Sequence, residues 1–391
     1  MKLFTCSKCQ LVVNFEDATC TRCGHALAFL PDRGVVAALE PAAGPQPAAR
    51  KGAGAPEGTP AGDATFVALG VDRGRARYRL CGNQIDHGAC NWAVPVDDPD
   101  HFCRACRLNE IIPDLSDPEA KPAWLKLETA KRRMLYTLLA LGLPVEPRAT
   151  HPGGLAFAFK KDLPGQEKVL IGHEQGLITI NIAEADSPFR EKTRLELGEP
   201  YRTLLGHFRH EIGHYYWDKL VEGSRFLEPF RAKFGDERAS YADAVTVHYR
   251  DGAPKDWRDR FISSYASMHP WEDWAESWAH YLHMVDTLET ARSFGLALKP
   301  KGEGGAPTDD LAIKARRVSL ADIDDMMSAW PALTIALNSL NRSLGLPDPY
   351  PFAPPAPALD KIRFVHEVIE ATPDAKADSP AASTAARPSA A

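Results

Sequence analysis

The sequence predicts an α+β protein, with a small sheet leading into a long, mostly helical domain and two small cysteine-rich modules in front. Three observations lead there. All eight cysteines of the 391-residue chain lie before residue 107. Two short β-type runs, Lys168–Ile171 and Leu177–Ile182, are separated by turn residues at Gly172 and Gly176. From Pro200 to about Glu370 the patterning is helical. A small sheet followed by helices is the α+β arrangement.

Each unit follows from local composition. Met1 to about Val36 carries Cys6-x2-Cys9 and Cys20-x2-Cys23. Residues 37–64 are almost entirely Ala, Gly and Pro, too poor in apolar bulk to fold, and read as a disordered linker. Residues 65–116 carry Cys81, Cys90, Cys103 and Cys106. Residues 117–370 form the large domain. The Ala/Pro/Ser-rich tail, 371–391, again reads as disordered.

Paired C-x-x-C knuckles place four thiolates around one ion, the closed tetrahedral form of a structural zinc site. A unit of this size buries too little surface to fold unaided, so the metal supplies folding energy. "QLVVNF" between the knuckles suits a short hairpin, and Gly24 helps the chain turn after Cys23. In the second module only Cys103 and Cys106 form a knuckle. His87 and His101 lie close enough to replace a cysteine, but four thiolates are the simplest set. Neither module leaves an open coordination position for catalysis.

Bulk properties exclude several classes. The net charge of −6 argues against a general nucleic-acid binder. "MKLFTCSKCQ" lacks an apolar run of signal-peptide length, and no stretch of 18 apolar residues occurs, so no membrane span is expected. Knuckle-spaced cysteines suit a reducing compartment, which makes the cytoplasm the expected location.

In the large domain, Ser116 or Asp117 should cap a first helix, with Pro118 starting it and Gly142 and Pro144 ending it. Its Lys131-Arg132-Arg133 run reads as a solvated face. Pro200 should open the helix that holds "LGHFRHEIGHYYWDKL". Inside it stands His210-Glu211-Ile212-Gly213-His214, an H-E-x-x-H. Residues i and i+4 share a helix face, so His210 and His214 can bind one ion. Glu211 is turned away from that face and can serve as general base toward water on the ion. Gly213 brings little bulk near the metal.

Two histidines need a third ligand. A metzincin would place Gly at 217 and His at 220, where this chain has Trp217 and Leu220. "SMHPWEDWAESWAHYLH" offers another solution. Pro270 starts a helix, Glu272, Glu276 and His280 follow at four-residue steps, and Trp271, Trp274, Trp278 and Tyr281 form a stripe that seats it in a core. Glu272 is taken as the ligand, with Glu276 behind a ligating histidine. The reverse assignment stays open. Asp273 and His280 are weaker substitutes, and His207 reads as a bystander. Tyr265, on the loop before this helix, is the candidate donor to a developing oxyanion. Tyr215 and Tyr216 read as packing residues. The "LITINIA" strand could lie along the cleft and pair with an extended substrate.

At this point the chain resembles a known family, the bacterial zinc-binding metallopeptidases with an N-terminal zinc ribbon. The resemblance rests on "FTCSKCQ", "CTRCGHALAFLPD", "FCRACRLNEIIPDLSDPE", "GLITINIAEAD", "GEPYRTLLGHFRHEIGHYYWDKLV", "MHPWEDWAESWAHYLH" and "ALNSLNRSLGLPDPYPF". It implies a zincin-like fold of the gluzincin kind, with His210 and His214 as zinc ligands and Glu211 as base. For the third ligand it favours the glutamates of "WEDWAE", and Glu272 by analogy with other gluzincins. The expected cofactors are one catalytic and two structural zinc ions.

The expected function is an intracellular zinc metallopeptidase acting on a peptide or protein, with the ribbons recruiting substrate or a protein partner. The alternative is a non-catalytic adaptor or regulator whose ribbons bind protein or nucleic acid beside a degenerate zincin scaffold. Glu211 weighs against it, since a purely structural site has no use for a base there. Hydrolysis of another amide would use the same chemistry with a different pocket.

Overall fold

The computed structural model describes residues 1–43, 64–197, 202–302 and 311–372. Most of the expected linker (44–63), the expected helix opener Pro200, and most of the expected tail (373–391) lie outside the described residues.

The N-terminal unit begins with a hairpin, β1 (Phe4–Thr5) and β2 (Val12–Val13), closed across the first knuckle. A meander follows: β3 (Ala26–Leu30), β4 (Val35–Pro41), β5 (Phe66–Ala68), β6 (Arg77–Leu80), helix α1 (Gly82–His87) and β7 (Ala93–Pro95). The five strands pair antiparallel in chain order. The Phe29 N–H donates to the Asn91 carbonyl at 2.8 Å, which draws β3 toward β7 and curls the sheet. The expected boundary at residue 36 is therefore displaced. Residues 37–41, assigned above to the linker, belong to β4 and pair with β5 through Glu40↔Val67 and Pro41↔Phe66. Ala37, Ala38 and Leu39 are buried. Ala37 and Ala38 resemble linker composition, but β3 pairs on one side of β4 and β5, from beyond residue 64, on the other.

The large domain opens with β8 (Asn109–Ile111), α2 (Ala120–Ala140), β9 (Ala156–Lys160), β10 (Gly172–Glu174), β11 (Leu177–Asn181) and α3 (Ser187–Leu197). The second sheet has the order β10-β11-β9-β8, with β10 antiparallel to β11 and the other pairs parallel. The expected run Lys168–Ile171 is not a strand; the strand is Gly172–Glu174, beginning at the glycine read as a turn residue. Glu174 pairs with Leu177, leaving a two-residue turn of Gln175 (φ 48°) and Gly176 (φ 82°), the left-handed pair that suits strand twist. A Cβ on Gly176 would lie 2.1 Å from the Gly154 carbonyl oxygen.

Helix α2 starts two residues later than Pro118. Asp117 instead forms a turn, its side chain accepting the Glu119 N–H at 2.9 Å and its carbonyl the Ala120 N–H at 3.1 Å. The Lys131-Arg132-Arg133 run is also not a solvated face. Lys131 is 0% exposed and donates to Glu128 Oε1 at 2.7 Å, while Arg132 donates to the Ala89 carbonyl at 2.6 Å. Only Arg133 reaches solvent, where it pairs with Glu16. Charge pattern could not separate these three, because besides Glu128 on the same helix the first two depend on distant groups, Asn109 for Lys131 and the Ala89 carbonyl for Arg132.

The helical part comprises α4 (Leu204–Leu220), α5 (Leu227–Phe234), α6 (Tyr241–Asp251), α7 (Trp257–Arg260), α8 (Pro270–Ser293), a short pair β12 (Ala297–Leu298) and β13 (Ile313–Lys314), α9 (Ile323–Ser343) and α10 (Ala356–Glu370). Helices α4 and α8 pack together at the centre. Trp274, Trp278 and Tyr281 are fully buried, and Trp278 stacks on Tyr216 with ring centroids 4.8 Å apart. Gly213 sets this contact, since a Cβ there would sit 3.0 Å from the Ala275 Cα and 3.1 Å from the Trp278 Cβ. Its small size therefore serves helix approach rather than space at the metal. One hydrophobic core runs from Phe4, Phe15 and Phe29 through Tyr136 to α8, so the first cysteine module is packed on the large domain. Among the described residues, no helix is long and apolar enough to cross a membrane.

Candidate metal centre and its clefts

Helix α4 is capped by Thr203, whose hydroxyl accepts the Gly206 N–H at 3.0 Å. Helix α8 starts at Pro270 as the sequence predicts, with the His269 side chain accepting the Trp271 N–H at 3.2 Å. Their packing brings three acceptor atoms together. His210 Nε2 and His214 Nε2 are 3.2 Å apart, and Glu272 Oε2 lies 2.9 Å from the first and 3.5 Å from the second. Ligand atoms about 2.1 Å from a tetrahedral zinc are separated by similar edges. Two imidazoles and a carboxylate also match a zinc donor set.

Glu276 takes a different position. Its Oε1 accepts from His210 Nδ1 at 2.8 Å, and its Oε2 accepts from the Ser263 hydroxyl at 2.7 Å. A proton held on Nδ1 leaves the Nε2 lone pair facing the centre. Burial opposes ionisation of Glu272, yet the His214 and His210 charges hold its carboxyl well below the usual carboxylate range. Glu211 is 7% exposed, and its Oε2 is buried without a hydrogen-bond partner. An unpartnered buried carboxylate oxygen is costly unless something else, such as a water or substrate proton, meets it.

The other candidates fall elsewhere. Asp273 pairs with Lys361 at 2.5 Å, and His280 Nδ1 meets the Tyr350 hydroxyl at 2.8 Å. His207 lies 3.3 Å from Glu184, which also accepts from Arg202 at 2.9 Å. Tyr265 stands on a single turn before α8, its ring centroid 5.8 Å from that of His210. Tyr215 and Tyr216 are buried in the core. Sequence reasoning missed Tyr241, whose hydroxyl donates to Glu272 Oε1 at 2.9 Å, and Ser263 beneath Glu276. Neither carries a local signal, because each arrives from a separate element.

Two clefts flank the centre. The first, about 450 Å³, is lined by His173, Glu174, Asp218, Tyr241 and Trp271. The second, about 240 Å³, is lined by Arg202, His207, Tyr249, Ser264 and Phe352. Glu211, His210, Tyr265 and Ile171 line both. The "LITIN" strand does not border either as an edge. It is β11, hydrogen-bonded on both sides, and β10 is the outer strand. A strand has two bonding edges, and β9 and β10 use both of those on β11.

The eight cysteines form two groups of four, and within each group the sulfur atoms lie within 4.8 Å of one another. In the first, Cys6–Cys23 and Cys9–Cys20 are 3.7 and 3.5 Å apart. Each knuckle is closed alike, Gln10 N–H to the Cys6 carbonyl and Gly24 N–H to the Cys20 carbonyl, both 2.8 Å. The Cys23 backbone N–H contributes most to lowering the Cys20 thiol to about 6. In the second, Cys90 and Cys103 are 3.6 Å apart, while Trp92 and Cys103 N–H groups donate to sulfur. Such donors favour thiolates. His87 meets Trp124 edge to face and His101 meets Phe102 likewise; neither joins the group.

A fold of this kind, carrying two cysteine groups and a two-histidine, one-carboxylate cluster, defines a metallopeptidase-like chain with a zinc-ribbon front. Residues 120–368 match the family model described as "Putative zinc-binding metallo-peptidase", and residues 3–117 match a zinc-ribbon domain. The chain belongs to that metallopeptidase family. Uncharacterized proteins of Mycobacterium tuberculosis and Mycobacterium bovis are each 38% identical to it over 377 residues, covering 96% of this chain and 97% of theirs. No solved structure matches it.

Proposed function

We propose that this protein is a zinc-dependent peptidase in which His210, His214 and Glu272 hold the catalytic ion and Glu211 is the general base. The observation that carries this reading is the buried, unpartnered Glu211 Oε2 beside three converging acceptor atoms. Zinc, when bound, supplies Lewis acidity that polarises a carbonyl and makes water acidic near neutral pH. Glu211 takes the proton of the attacking water and passes it to the leaving nitrogen. The peptide C–N bond breaks, with OH added to the carbonyl carbon and H to the amine. Tyr265 is the candidate donor to the carbonyl oxygen. Glu276 keeps His210 in the tautomer that presents Nε2, and Ser263 fixes Glu276.

The two four-cysteine groups would hold structural zinc. Free thiols so arranged suit a reducing compartment such as the cytoplasm. The ribbons offer a surface for a protein partner or the substrate itself.

The test has two parts. Native mass spectrometry should count three zinc ions on the wild type and two on His210→Ala; an unchanged count removes His210 from the site. A peptide library should be cleaved by the zinc-loaded wild type and not by Glu211→Gln. Equal cleavage by both would eliminate Glu211 as base.

A further inference from the structure

Two clefts border the candidate centre: Ile171, His210, Glu211 and Tyr265 line both, while His214 and Glu272 line the larger one. A site that trims chain ends needs a closed end and a charge that captures the terminus. In the smaller cleft the cations are already engaged. Arg202 and His207 face Glu184 at 2.9 and 3.3 Å, and His283 Nδ1 lies 2.7 Å from Arg209. No cation among these is held ready for a terminal carboxylate, which argues against trimming from the carboxyl end.

Two further features border the clefts. Ile171 to Gln175, including all of β10, line the larger one, and β10 is the outer strand of its sheet. An outer strand offers backbone N–H and C=O groups to an extended chain. Helix α6 contributes Tyr241 to the larger cleft and Tyr249 to the smaller. At 1.5 Å rise per residue the two are about 12 Å apart along the axis, so α6 spans the centre. None of its residues is buried. Gly235 (φ 108°, ψ −176°) and Gly252 (φ 78°, ψ −179°) bound the segment, both in a region that glycine alone occupies. Gly235 ends α5 and Gly252 ends α6, so glycine breaks set off the exposed segment that carries α6.

We propose that the site cleaves within chains: it takes an extended, unfolded polypeptide segment along β10, engaged on both sides of the scissile bond, with α6 as its cover and Tyr241 and Tyr249 contacting opposite sides. The proposal rests on the peptidase reading above and adds the substrate class.

The experiment uses the zinc-loaded full chain and unstructured peptides in two forms, one acetylated and amidated at its ends, the other with free ends. Mass spectrometry of the products should show internal cuts in both forms, with rates within roughly twofold. Cleavage only of free-ended peptides, releasing one or two terminal residues, would overturn the proposal while leaving the peptidase reading intact. No cleavage of either form by zinc-loaded protein removes both.

Binding gives a second readout. Zinc-loaded Glu211→Gln should bind a labelled, doubly blocked peptide by fluorescence anisotropy, and shortening the peptide from either side should weaken it. Insensitivity to shortening on one side sinks the two-sided groove. Tyr249→Ala, with unchanged zinc content and melting temperature, should raise KM by about fivefold more than it lowers kcat. Residue preference should relax on one side of the cut only. Unchanged preference on both sides would remove α6 from substrate contact.

Discussion

His210 Nδ1 lies 2.8 Å from Glu276 Oε1, while Nε2 of the same ring lies 2.9 Å from Glu272 Oε2. One imidazole thus connects two glutamates one helical turn apart and gives them different work. Removing the outer one should loosen the metal without removing a ligand. Glu276→Gln or Glu276→Ala should lower zinc affinity about 10- to 100-fold, read by competition with a chromophoric chelator. Glu272→Ala should cost more if Glu272 is the ligand proposed above, since its Oε2 meets both Nε2 atoms. Equal losses would erase the distinction between the two carboxylates.

Gly213 controls how closely α4 and α8 approach. Gly213→Ala places a methyl group 3.0 Å from the Ala275 Cα, in contact with backbone that has little room to move. Overpacking of this kind typically costs about 1–3 kcal/mol. Denaturant unfolding should show that loss, with zinc affinity at the His210–His214–Glu272 cluster falling too. A neutral substitution would mean that the helices slide apart freely.

The buried trio of Glu128, Lys131 and Arg132 should respond asymmetrically to mutation. Lys131 and Glu128 are both 0% exposed and 2.7 Å apart. Lys131→Met should cost about 1–3 kcal/mol because Glu128 loses its nearest cation and keeps only Arg132 at 3.6 Å and the Asn109 amide at 2.8 Å. The double change Glu128→Leu with Lys131→Met should recover a large part of that stability. Failure of the double variant to outlast the single one in thermal melts would contradict the pairing.

Acid should destabilise the protein through Glu184. Burial pushes this carboxyl up, but His207 and Arg202 outweigh it and bring it down to about 2. A depressed folded value means that the stabilisation is present above the unfolded value near 4.3 and is lost as pH falls toward 2. The contribution at neutral pH is up to about 3 kcal/mol. Glu184→Gln should therefore be less stable than wild type at pH 7 and lose less between pH 5 and 2.5. Parallel pH–stability curves for the two proteins would exclude this role.

Removing structural zinc should act on packing as well as on the ribbons. Phe15 and Phe29 of the first module contact Tyr136 of α2 at 5.4 and 5.8 Å between centroids. Thiol-directed release of zinc should therefore expose aromatic core at the junction and lower the melting temperature of the whole chain. A melt unchanged by zinc release would show that the module folds without metal.

Much of this molecule was legible in its sequence. The H-E-x-x-H spacing, the C-x-x-C pairs and Pro270 all encode local geometry, where chemistry is fixed by residues a few positions apart. So do the aromatic stripe on α8 and the α+β order of elements. What the sequence left open was any choice between atoms from different elements. Glu272 and Glu276 are equivalent by helical spacing, and only the docking of α4 on α8 places one at both Nε2 atoms and the other at Nδ1. Lys131 and Arg133 look alike in a charge run until Glu128 and Asn109 close around one of them. Residues 37–41 of β4 read as linker because they are Ala/Pro-rich and their second partner, β5, begins at Phe66, beyond the Ala/Pro/Gly segment. Periodicity records which face of an element is apolar; which neighbour meets that face is decided by packing, where desolvation must be matched by partners distant in the chain.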